Sequence, residues 1–163
     1  MSKPNVLVIM TDEERYPPPY EGPAMAEWRR THLVNRERIR DGGVELHRHY
    51  VGSTACVPSR ATLFTGQYPS LHGVSQTDGV AKDPDDPAMR WLDPDEVPTL
   101  GDWFRAGGYQ THYRGKWHIT HADLPIPGTH EGLAASDDDG RLVPEVIDAY
   151  RRADRLDAFG FSG

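Results

Sequence analysis

The stretch Cys56-Val57-Pro58-Ser59-Arg60-Ala61-Thr62-Leu63-Phe64-Thr65-Gly66-Gln67-Tyr68-Pro69, continued by Leu71-His72-Gly73-Val74, decides how this chain is read. Cys56 is the only cysteine, so an intramolecular disulfide is ruled out. Pro58 fits the first position of a helix, where its missing N–H costs nothing. The run Pro58 to Phe64 therefore predicts a helix start, with Cys56 just outside its N-terminus. That end carries partial positive charge and unpaired N–H donors, which favour an anionic nucleophile and an anionic substrate. Arg60 adds a fixed cation whose donor fork suits an oxyanion. A lone cysteine is ordinarily a small buried hydrophobe; this surrounding pattern points instead to chemistry.

Working outward, Asn5 to Met10 is a continuous apolar run with β-branched residues, ending at polar residues. It predicts a buried parallel strand. Residues 15–23 are rich in Pro, Tyr and Gly and predict a loop. Met25 to Asp41 has helical spacing, with Gly42-Gly43 as its stop. Val44 to Val51 predicts a second strand. Residues 75–97, polar and rich in Pro and Asp, predict a surface insertion. Thr99 to Ala106 predicts a short helix stopped by Gly107-Gly108, and Tyr109 to Arg114 a third strand. Residues 121–141 are loop-like, with a turn at Asp137-Asp138-Asp139-Gly140, and Leu142 to Leu156 has helical spacing. This alternation predicts an α/β fold, a mainly parallel sheet flanked by helices. Ligands in such sheets sit beyond the carboxyl ends of the strands. Asp12, Cys56 and Lys116 each follow a predicted strand, so they should converge on one sheet edge.

The pattern Cys56-x-Pro58-Ser59-Arg60 followed by Leu63-Phe64-Thr65-Gly66 resembles the signature of the type I sulfatases. Gly115-Lys116-Trp117-His118 resembles a second segment of that family, in the expected order. The resemblance covers roughly the first 120 residues. It implies an alkaline-phosphatase-like fold, incomplete in this chain, with residues 1–163 as the N-terminal portion of a catalytic domain. It further implies that Cys56 is oxidised to formylglycine, whose gem-diol attacks the sulfur of a sulfate ester. Asp12 would ligate a divalent metal, calcium with magnesium or manganese as alternatives, as a hard carboxylate at a strand end can. Glu13 stands where many relatives have a second aspartate and would ligate through a longer side chain; residue 56 completes the implied set. Lys116 would neutralise the oxyanion, and His118 would donate to the ester oxygen or shuttle protons. His72 belongs to the family pattern and is read as support for its loop.

The implied partners are a sulfated small molecule or sugar and a formylglycine-generating enzyme. A phosphonate or phosphodiester hydrolase of the same superfamily, or a non-catalytic remnant, are the alternatives. The family's later metal ligands have no counterpart in residues 119–163, so the isolated chain is expected to be inactive and prone to aggregate through unpaired strand edges.

Other chemistries are excluded by residue type. A cysteine-phosphatase loop needs arginine where Thr62 stands, and no papain-like or caspase-like context surrounds Cys56. Gly115-Lys116 is not a phosphate loop, because Gln110 and Trp117 occupy required positions. The pairs His47/His49 and His118/His121 lack the further ligands of a zinc site. The 163 residues suffice for one domain with a sizeable core. The formal charge of −7, from 18 basic and 25 acidic residues, argues against nucleic acid. The apolar run 6–10 is too short for a signal-peptide core, and no run reaches membrane-spanning length. A cytoplasmic location without membrane contact is the expectation, and one cysteine is compatible with it.

Overall fold

Proline and glycine mark most helix boundaries of this chain. The computed structural model describes residues 3–79, 82–84, 86–121, 124, 126–127 and 132–162. Its helices are α1 (Pro23–His32), α2 (Val34–Asp41), α3 (Cys56–Thr65), α4 (Pro69–His72), α5 (Leu100–Ala106) and α6 (Pro144–Ala153), with a 3-10 turn at Asp157–Phe159. Two compact units divide the chain, Met1–Tyr50 and Val51–Gly163.

In the first unit, the helix expected over 25–41 is two helices joined at Leu33, whose φ of −102° and ψ of 47° leave the helical region. Side chains compete for the backbone just before the break. Thr31 Oγ1 donates to the Glu27 carbonyl at 3.0 Å, and His32 Nδ1 bonds the Trp28 carbonyl at 2.8 Å. Such back-bonding bends helices. Gly42 caps α2, as the glycine pair predicts. Ion pairs Arg30–Glu27, Arg40–Glu37, Arg36–Glu14 and Arg29–Glu21 lace the unit. None of its described residues is buried.

The core lies in the second unit. Val57, Ala61 and Phe64 of α3 pack with Val74, Met89, Leu92, Val97, Trp117, Ile119, Phe159 and Phe161. Phe64 is the hub of an aromatic cluster, its ring centroid 4.9 Å from Trp117, 5.6 Å from Tyr113 and 5.8 Å from Phe161. Met89, Leu92 and Val97 fall within 75–97, so that stretch is not a surface feature throughout; residues 80, 81 and 85 of it lie outside the described residues. Of the loop expected over 121–141, residues 122, 123, 125 and 128–131 also lie outside them. The helix expected over 142–156 is shorter, α6 ending before Asp154, which is in the left-handed conformation, and the 3-10 turn lies beyond it.

The predicted strands differ from the structure. Among the described residues no ladder forms, only the isolated bridges Gly79↔Lys82, His112↔Ser162 and Ser136↔Leu142. Residues 5–10 are not in a strand, and Leu7 is 83% and Ile9 74% exposed. Residues 44–51 form a turn and coil, with Val44 89% exposed. The physical reason is that a parallel strand exists only through neighbours reached by long crossovers. Of the three segments only 109–114 finds a partner, where Ser162 N–H donates to Thr111 O at 2.9 Å and Tyr113 N–H to Ser162 O at 3.1 Å. Among the described residues no helix is long and apolar enough to cross a membrane.

Candidate functional site

Helix α3 begins two residues earlier than the proline rule predicts. Ala55 is its N-cap, Cys56 its first residue, and the first intrahelical bond runs from Ser59 N–H to Ala55 O at 3.0 Å. Pro58 thus occupies the third helical position, still among those whose N–H groups have no intrahelical acceptor. Cys56 is therefore part of the first turn rather than just outside it, and it is half-buried as a free thiol. No side chain caps this end. Its dipole favours an anion. At the other end Gly66 adopts φ 69°, the left-handed conformation that terminates α3.

Arg60 is 6% exposed. Its Nη1 donates to the Lys116 carbonyl at 2.5 Å, a bond spanning 56 residues of sequence. The Tyr113 hydroxyl donates to the same carbonyl. Two donors on one oxygen fix the backbone from which Lys116 and His118 project. Burial pushes the Tyr113 phenol above its ordinary range, and the Arg60 cation partly opposes that rise. The Lys116 residue itself is exposed. Between them Trp117 is buried against Phe64, Phe159 and Phe161, which anchors the segment in the core.

His118 has φ 57°, a left-handed backbone unusual for a residue with a side chain. Its Nε2 lies 2.6 Å from Asp78 Oδ1, with both side chains about one quarter exposed. Its Nδ1 is buried and has no hydrogen-bond partner among the described residues. The Trp91 ring stands 6.3 Å from the His118 ring and stacks on His121. Sequence reasoning missed Asp78 because the polar stretch around it reads as solvated loop. No spacing rule links it to a histidine 40 residues away.

His72 is 2% exposed. Val74 N–H donates to its Nδ1 at 3.1 Å, so the proton sits on Nε2, which faces Thr62 Oγ1 at 3.2 Å. Burial lowers its proton affinity below the ordinary histidine value. It bridges α3 to the α4 turn as a neutral ring, a structural role.

Asp12 and Glu13 belong to the first unit and are exposed there. Glu13 has φ 58°. Two consecutive carboxylates are hard oxygen donors, the donor chemistry that calcium or magnesium takes. As a pair they supply only part of a shell of six or more oxygens.

The sulfatase family profile matches residues 4–126. Human steryl-sulfatase is 32% identical over 118 residues, 72% of this chain and 19% of that protein. Bovine arylsulfatase A is 32% identical over 120 residues, 72% of this chain and 21% of that protein. The ulvan-active sulfatase of Formosa agariphila is 31% identical over 137 residues, 78% of this chain and 22% of that protein. This chain belongs to the sulfatase family. Membership implies an alkaline-phosphatase-like α/β fold, of which the described residues contain no sheet. The chain spans about a fifth of the length of these relatives. No solved structure matches it.

Proposed function

We propose that this chain carries the nucleophile-bearing part of a sulfuric ester hydrolase. The observation that supports it most is the Arg60–Lys116 bond, which joins the Cys56 helix to the Lys116–His118 segment across 56 residues. Both segments lie within the stretch that matches the sulfatase family, and both carry residues that resemble its signature. Oxidised to formylglycine, residue 56 would supply a gem-diol nucleophile for sulfur; Asp12 and Glu13 would hold a divalent metal, which would supply polarisation of the sulfate oxygens. The chain's own residues do the rest. The N-terminus of α3 favours negative charge beside residue 56. Arg60 acts through its grip on the Lys116 carbonyl. The Lys116 ammonium neutralises charge developing on the sulfate or the attacking oxygen. His118 moves a proton to the ester oxygen as the alcohol leaves. The substrate class is a sulfated small molecule or sugar, and maturation requires a formylglycine-generating enzyme.

The test is the mass of the tryptic peptide His49–Arg60 from protein made in its native host. Loss of sulfur with gain of an aldehyde at residue 56 is the expected result. A persistent thiol, in cells that convert another sulfatase, sinks the proposal.

A further inference from the structure

We propose that Asp78 is a positioning residue for His118, holding the ring by Nε2–H so that Nδ1 is the atom that moves the proton. The inference rests on the reading above that His118 handles a proton. An ionised carboxylate only accepts hydrogen bonds, so at 2.6 Å from Asp78 Oδ1 the proton belongs to His118 Nε2. Charge-assisted bonds of this kind are short and strong. Nδ1 then carries either the lone pair or, in the imidazolium, the transferable proton.

Three further observations agree. First, Nδ1 is buried and unpartnered among the described residues. A buried polar atom left unsatisfied is rare in a native fold, so it calls for a reason. Second, His118 holds a left-handed backbone at φ 57°. That conformation persists only where the surroundings over-determine it, and such residues cluster at functional sites. Third, Asp78 is itself secured. The next residue, Gly79, exchanges backbone bonds with Lys82, N–H to O at 2.9 Å and back at 3.2 Å. The Trp91 ring walls one side of the imidazole. An acid that orients a histidine through one nitrogen and leaves the other for chemistry is the general logic of such pairs.

The test uses the full chain labelled with 15N-histidine. His118 is assigned with His118→Gln, and the imidazole nitrogens are followed by NMR in wild type, Asp78→Ala and Asp78→Asn. In wild type the proton is expected on Nε2, visible and protected from water, with Nδ1 bare. Asp78→Ala should speed its exchange at least tenfold, while Asp78→Asn, which keeps volume and an acceptor oxygen, falls between. The Nε2–H of His72 is the internal control for folding and should not move. Equal exchange in wild type and Asp78→Ala, or a bare Nε2 in wild type, overturns the proposal. Where the aldehyde-bearing protein turns over an aryl sulfate, Asp78→Asn should lower kcat about tenfold to hundredfold with KM nearly constant. An unchanged kcat there also overturns it. Failure of Cys56 conversion leaves the imidazole result intact, so it sinks the sulfatase reading alone.

Discussion

His72 and Arg60 show how much a single side chain settles in this molecule. His72 is neutral in the folded chain because burial disfavours its charge, whereas unfolding returns it to the ordinary value of 6.5. The unfolded state therefore binds more protons below that pH. His72's contribution to stability is complete above 6.5 and is lost as pH falls through the folded value. Thermal melts should show Tm falling with pH in that window, with a shallower slope in His72→Asn. His72→Ala should cost about 2–4 kcal/mol in denaturant melts, from the cavity and the orphaned Val74 N–H. Arg60→Met removes one of two donors to the Lys116 carbonyl. Because Tyr113 still donates, the loss should stay at about 1–2 kcal/mol. The Tyr113 phenol should titrate higher still, since the opposing cation is gone; an NMR titration reads this directly. Cys56, Arg60, Lys116 and His118 stand out from local motifs. Asp78 does not, because its significance exists only through a contact made across the fold.

Helices and strands differ in how far the chain announces them. Helix α5 is written locally. Thr99 Oγ1 accepts from Gly101 N–H at 3.0 Å while the Asp102 carboxylate accepts from Thr99 N–H at 2.7 Å, a capping box closed within four residues. The same fully buried hydroxyl donates to the Phe159 carbonyl at 2.6 Å. Thr99→Ala should therefore destabilise by about 1–3 kcal/mol, more than a cap alone, and Thr99→Ser should recover most of it. Gly160 faces the same helix with φ 75°, and a Cβ there would lie 2.2 Å from Asp102 N. Gly160→Ala should exceed Thr99→Ala in cost, because backbone cannot yield as a side-chain tip can. The strands were read from apolar runs, but hydrogen bonding to a neighbour defines a strand. Residues 5–10 carry the right composition and lack such a neighbour among the described residues.

At the scale of the whole chain, stability is unevenly shared. Every buried described residue lies in Val51–Gly163, whereas Met1–Tyr50 rests on helix contacts and ion pairs, of which Arg30–Glu27 and Arg36–Glu14 are exposed on both sides. Surface pairs contribute little. Amide hydrogen exchange should find α1 and α2 poorly protected, with protection concentrated in α3 and around Trp117 and Ile119. Uniform protection across both units would refute this. The aromatic cluster carries a consequence for the chain's synthesis. Phe159 and Phe161 complete the packing around Phe64 and Trp117, so the hydrophobic contacts of α3 cannot close until the ribosome has released them. At about 5–20 residues per second, translation from position 56 to position 161 takes roughly 5–20 s. Through that interval the cysteine motif travels on an unclosed chain. The timing of its exposure is thus set by two phenylalanines made about a hundred residues after it.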